Sequence, residues 1–202
     1  MQIVLATSNK GKVREIKAMC DAFEVVAFSE LITPFEIVED APTFKGNALL
    51  KAQAVYKALN DEDAIVLSDD SGISVDALDG APGIYSARYG GEDASDKDNL
   101  YKLMNAVKEE GLEHSKAHYT AAIAIVTKEG EQVVHGWMHG DVITSPRGEN
   151  GFGYDPCFIP EGFDKTLGEL DDSVKKGLSH RSKALNLARL VIQTIKKGRD
   201  HV

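Results

Sequence analysis

Two adjacent carboxylates, a hydroxyl and a glycine stand at Asp69-Asp70-Ser71-Gly72, just past the apolar run Ala64-Ile65-Val66-Leu67. A short β-branched run of this kind predicts a buried strand, and in open α/β sheets ligands collect at the carboxyl ends of strands. Acids placed there need a charge partner, and a divalent metal suits clustered carboxylates. An acidic turn accounts for the same residues: Asp and Ser bond to nearby backbone while Gly72 takes a positive φ.

Three other segments carry chemistry. Thr7-Ser8-Asn9-Lys10-Gly11-Lys12 runs into a helical pattern. Backbone N–H groups and the dipole at a helix start attract anions, and Lys10 and Lys12 add positive charge beside hydroxyl and amide donors, which suits phosphate. The spacing is not that of a P-loop, and a plain helix cap would use the same residue types. Gly148-Glu149-Asn150-Gly151-Phe152-Gly153-Tyr154-Asp155-Pro156 combines three glycines, two aromatics and an acid near its end. Such backbone lets a flat ligand approach closely while Phe152 or Tyr154 stacks on it; aromatics packing inward from an ordinary loop is the alternative. Ser179-His180-Arg181 follows Lys175-Lys176 directly before the last predicted helix. Positive charge at a helix N-terminus opposes the macrodipole unless it serves an anion or a ligand carbonyl, or is simply solvated.

The elements that must position these residues alternate in type. A strand over Gln2 to Ala6 precedes a helix with Val13, Ile16 and Met19 on one face. Helices are predicted over Asn47 to Leu59 and Asp96 to Glu110, and the last over Ser182 to Lys197 with Leu185, Ala188, Ile192 and Ile195 inward. Tyr119 to Thr127 and Gln132 to Trp137, joined around Glu129-Gly130, predict a β-hairpin. The order is mixed α/β, with helices around a partly antiparallel sheet. No repeat, low-complexity segment or linker divides residues 1–202, so one continuous domain is expected.

Composition removes several classes. With 202 residues, 43% of them hydrophobic, the chain can bury a sizeable core. A net charge of −9 argues against a general nucleic-acid binder, so an anionic ligand requires a local cationic pocket. Cys20 and Cys157 are too few for a disulfide scaffold. Ile3-Val4-Leu5-Ala6 is too short for a signal peptide core or a membrane span, so no membrane partner is expected and the expected compartment is the cytoplasm. His114, His118, His135, His139 and His201 lack metal-ligand spacing.

Taken together the segments resemble the inosine triphosphate pyrophosphatases, the family of noncanonical purine NTP or dITP/XTP pyrophosphatases, over nearly the whole chain. The resemblance is carried by Ala6 to Lys12, Thr43-Phe44 with Asn47-Ala48 and Lys51-Ala52, and Ser68 to Gly72. It continues through Gly80-Ala81-Pro82-Gly83-Ile84-Tyr85-Ser86-Ala87-Arg88-Tyr89, Gly151 to Pro156 and Ser179-His180-Arg181. It implies an elongated mixed β-sheet flanked by helices, in two lobes with the nucleotide cleft between them. It also implies a homodimer and Mg²⁺-dependent hydrolysis of a purine nucleoside triphosphate to monophosphate and pyrophosphate, with Mn²⁺ as a possible substitute. By motif match, Thr7, Ser8, Asn9, Lys10, Gly11 and Lys12 would hold the triphosphate, and Asp70 would bind metal and serve as base for water. Ser71 would touch the nucleotide, and Phe152, Gly153, Tyr154, Asp155, Lys175, His180 and Arg181 would surround base and sugar. A second acidic metal ligand falls at Glu39 or Asp40; here the chain departs from the pattern, with Gly46 where Glu is common.

The residue types agree with that chemistry, since phosphoryl transfer depends on positioning and charge neutralisation more than on covalent help. A phosphomonoesterase with an aspartyl nucleophile would normally want Asp-x-Asp, whereas here the acids are adjacent. A non-catalytic nucleotide sensor on the same fold is opposed by the presence of Asp70, Lys10 and Lys12.

Overall fold

Ile3, Val4 and Leu5 on the first strand and Ile65, Val66 and Leu67 on the third are all buried, so both faces of these strands are apolar and both must be covered. The computed structural model describes residues 2–7, 10–19 and 23–200, without the side chains of residues 10, 15 and 19. Six strands form one sheet, β1 (Gln2–Leu5), β2 (Glu24–Ala27), β3 (Ile65–Val75), β4 (His114–Thr127), β5 (Gly130–Ile143) and β6 (Phe158–Pro160), in the order β2-β1-β3-β4-β5-β6. β1 pairs parallel with β2 and β3, while β6 pairs antiparallel with β5. The helices are α1 (Lys10–Met19), α2 (Phe44–Leu59), α3 (Asp96–Glu109), α4 (Asp172–Leu178) and α5 (His180–Asp200). The expected mixed α/β sheet flanked by helices is what forms. No helix among the described residues is long and apolar enough to cross a membrane.

The chain divides into two compact units: residues 1–70, 121–136 and 181–202, and residues 71–120 and 137–180. In the first, odd positions of β3 pack with α1 and α5: Ile65 and Leu67 meet Ile16, Leu185 and Ala188. Even positions pack with α2, where Val66 joins Ala48, Ala52 and Val55. In the second unit Ile73, Val75 and Tyr119 pack with Leu103, Met104 and Val107 of α3 and with Phe158. Tyr119 meets Phe158 edge to face at 4.9 Å, an arrangement worth about 0.5–1.5 kcal/mol beyond burial.

Several boundaries differ from the sequence reading. Thr43 caps α2 by accepting from the Gly46 N–H at 3.0 Å, so that helix starts three residues before Asn47. The hairpin strands are longer at their open end, because His114 to His118 alternates exposed and buried residues and so lacks a continuous apolar run. The largest correction concerns β3. It does not end before the acids but continues through Asp69, Asp70, Ser71 and Gly72 to Val75, so no terminal acidic turn forms. Ser68 and Asp69 can stay in a buried strand because each has polar partners: the Ser68 hydroxyl donates to the Ala48 carbonyl, and Asp69 meets two cations.

Candidate active site

Successive side chains of a strand point to opposite faces, and this separates the two adjacent acids. Asp69 follows Ile65 and Leu67 toward α1 and α5. Asp70 follows Val66 and Ser68 toward α2. One sequence motif thus supplies two different polar clusters, both within the first unit.

On the first face the buried Asp69 carboxylate takes the Lys12 ammonium at 2.6 Å on Oδ2 and the Arg181 Nε–H at 3.2 Å on Oδ1. Burial by itself would push this carboxyl up, but Lys12 and Arg181 outweigh it and hold it well below the usual carboxylate range. Lys12 comes from the first turns of α1 and Arg181 from the first turn of α5, so the carboxylate ties both helix starts to β3.

On the second face Lys51 of α2 reaches between two acids, its Nζ 2.8 Å from Glu39 Oε2 and 3.4 Å from Asp70 Oδ1. Strand and helix repeats match here: Ser68 and Asp70, two apart on β3, meet Ala48 and Lys51, three apart on α2. Burial holds the Asp70 carboxyl above its ordinary value; Glu39 and Asp69 add to the effect, while Lys51 and Lys12 oppose it. Asp70 Oδ2 is buried and accepts no hydrogen bond among the described residues. A buried carboxylate oxygen without a donor, beside a second carboxylate, fits a hard dication held through oxygen. No group of three or more His, Cys, Asp or Glu suited to a metal occurs among the described residues. Of the two acids considered for the second ligand, Glu39 turns toward Lys51 and Asp40 is exposed.

The β1–α1 segment is only partly within view. Thr7 is half-buried, while Ser8 and Asn9 lie outside the described residues, as does the side chain of Lys10; Gly11 lies within α1. Ser71 is half-buried on β3.

In the second unit, Gly151 to Asp155 is a loop with opposite fates for its two aromatics. Phe152 is 71% exposed, whereas Tyr154 is buried and donates its hydroxyl to the Ser86 carbonyl at 2.6 Å. Inward packing therefore holds for Tyr154, and the exposed ring is that of Phe152. Gly153 donates its N–H to Asp96 Oδ2 at 3.1 Å. Gly151, at φ +88°, is required twice over, since a Cβ there would also collide with the Asp155 carboxylate. Lys175 Nζ lies 3.7 Å from that carboxylate and 3.1 Å from Asp172. The His180 ring stacks on Tyr119 at 4.8 Å and 12°. His118 and His139 also face each other, ring centroids 5.6 Å apart.

Burial pushes the Asp155 carboxyl up to about 6 from an ordinary 3.8, against the pull of Lys175. An acid raised in the folded state costs nothing while protonated in both states, and its penalty grows as pH climbs through the unfolded value and levels off above the folded one. Asp155→Asn should therefore stabilise the protein at pH 7.5, by up to about 3 kcal/mol for two units, and leave stability unchanged near pH 3. Urea midpoints at the two pH values check this; a variant no more stable than wild type at pH 7.5 would remove burial as the cause.

Sequence reasoning took Asp69 only as half of an acidic pair suited to a metal and gave Lys51 no role. Lys51 had a visible sign: it sits between Ala48, Ala52 and Val55 on the apolar stripe of α2, where an ammonium needs a buried partner. Arg181, expected beside the purine, gives its Nε–H to Asp69.

With this geometry in hand, similarity to known proteins is extensive. The family model described as the Ham1 family matches residues 3–190. A dITP/XTP pyrophosphatase of Sulfurimonas denitrificans is 65% identical over 199 residues, covering 96% of this chain and all of that one. One from Campylobacter jejuni subsp. jejuni is 54% identical, covering 98% of this chain and 100% of its own. Among solved structures, the Ham1 protein of Staphylococcus aureus superposes with a TM-score of 0.87 at 39% identity, covering 96% of this chain and 99% of that one. A nucleoside-triphosphatase / dITP/XTP pyrophosphatase from Mycobacterium abscessus reaches 0.77 at 35% identity, covering 93% and 98%.

Proposed function

The chain belongs to the Ham1 family, and from that premise we propose that it hydrolyses noncanonical purine nucleoside triphosphates, ITP, dITP and XTP, to the monophosphate and pyrophosphate. The observation that carries the reading is the Glu39–Lys51–Asp70 cluster: two acids share one ammonium, and one buried carboxylate oxygen accepts no hydrogen bond among the described residues. Asp70 accepts a proton from water, a role its raised pKa favours by making it the stronger base. Asp70 and Glu39 would hold Mg²⁺, with Mn²⁺ as a substitute, since oxygen ligands of this kind suit hard cations. Such an ion would neutralise charge building on the leaving pyrophosphate.

The triphosphate falls to Thr7, Ser8, Asn9, Lys10, Gly11 and Lys12, and Ser71 touches the nucleotide. Phe152, exposed, supplies a ring on which a purine can stack, and Gly153, Asp155, Lys175 and His180 complete the contacts to base and sugar. Tyr154 contributes as the buried support of that loop. The enzyme works in the cytoplasm as a homodimer.

The products decide among the rival readings. Incubation with ITP, dITP, XTP, GTP and ATP should release pyrophosphate, fastest from the first three. Orthophosphate as the first product would instead indicate a phosphomonoesterase, and binding without turnover a sensor.

A further inference from the structure

Asp69 stands where the strand pattern calls for an aliphatic residue. Ile65 and Leu67, on the same face, are fully buried among α1 and α5, and the Asp69 side chain is likewise fully buried. Replacing a buried ion pair by well-packed apolar residues is commonly neutral or stabilising, so stability alone gives little reason for a carboxylate here. Its two partners explain it better. Lys12 closes the β1–α1 segment, and its side chain remains 28% exposed beyond the contact with Asp69 Oδ2. Arg181, by contrast, is buried and fixes the other carboxylate oxygen from α5. The carboxylate is thus held from one side by a buried guanidinium and holds, on the other, a lysine whose side chain is partly exposed.

We propose that Asp69 is a positioning residue: anchored by Arg181, it fixes the Lys12 ammonium in one place so that this lysine meets an incoming polyphosphate without first being ordered. A lysine has a long, freely rotating stem, and ordering it beforehand removes that entropy from the cost of binding. The same carboxylate ties α1 to the strand that carries Asp70 on its other face. Asp69 need not touch nucleotide; it acts through Lys12.

The proposal rests on the pyrophosphatase reading, and a double-mutant cycle separates the two. Affinity for inorganic tripolyphosphate is measured by calorimetry beside KM and kcat for ITP, in wild type, Asp69→Asn, Lys12→Ala and the double variant. Asp69→Asn should weaken tripolyphosphate binding and raise KM about tenfold, with kcat changed much less. In the Lys12→Ala background the same substitution should add less than about twofold, because a group acting through Lys12 has nothing left to act on. Full additivity, or an Asp69→Asn protein that is less stable yet binds as wild type does, would overturn the positioning role. Wild type that binds tripolyphosphate but turns over no nucleotide would overturn the pyrophosphatase reading and leave the cycle in binding intact. If Asp69→Asn does not fold, Asp69→Glu replaces it: the charge stays, the ammonium is displaced by the added methylene, and the same tenfold loss is expected.

Discussion

Asp70→Asn should lower kcat about 10²-fold or more, the scale of general-base catalysis, while nucleotide binding survives far better. Asn keeps the shape of the side chain and its place on β3, and it loses both the negative charge and the capacity to take a proton. With a dication held by Asp70 and Glu39 as proposed, the metal concentration for half-maximal activity should also rise. Wild-type enzyme in excess EDTA should lose activity to a comparable degree and recover it with Mg²⁺. A variant retaining more than about a tenth of wild-type kcat at saturating Mg²⁺ would remove Asp70 from both roles. Full activity in chelator would remove the metal.

Much of this site was legible because its residue types are costly anywhere else. Two adjacent acids after a β-branched run, lysines at a helix start and cations before a helix each violate a local preference, and such violations gather where ligands bind. What the sequence did not reveal was which way each residue points. Read as a turn, Asp69-Asp70 looks like one acidic cluster; read as a strand, it is two half-sites on opposite faces. The difference turns on whether the strand continues past Ser68, and that is decided by partners distant in sequence: the Ala48 carbonyl for Ser68, Lys12 and Arg181 for Asp69. A polar residue ends a strand in pattern reading because it normally demands water, and only tertiary structure shows that its demand is met within the protein.

The same limit explains the two aromatics between glycines. Phe152 and Tyr154 have equal standing in the sequence, and only the Ser86 carbonyl, 68 positions away, draws the tyrosine inward. Likewise His180 and Arg181 read as one cationic pair, yet they share the first turn of α5 and engage different groups: the histidine stacks on Tyr119 and the arginine pairs with Asp69. Helical geometry turns neighbours about 100° apart, so a dipeptide that looks like a single patch need not serve one ligand.

Lys51→Met should also lower kcat about 10²-fold, and its dependence on metal should distinguish it from Asp70→Asn. Met keeps the length and apolar stem that pack on α2, so the change is close to the loss of one charge. That charge lies 2.8 Å from Glu39 and 3.4 Å from Asp70, and it is the largest influence opposing the burial that raises the Asp70 carboxyl. Without it two acids face each other with no cation between them, so the orientation of Asp70 is no longer fixed. A dication, however, is drawn more strongly to two carboxylates freed of a competing ammonium, because its attraction to each is opposed by one positive charge fewer. The metal concentration for half-maximal activity should therefore stay the same or fall, whereas loss of the Asp70 charge raises it. Measuring kcat across a Mg²⁺ titration for both variants tests this directly. Wild-type kcat in Lys51→Met would show that the ammonium does not set the state of Asp70. A half-saturating Mg²⁺ concentration that rose with the loss of kcat would show that Lys51 holds the two carboxylates together for the metal and does not compete with it.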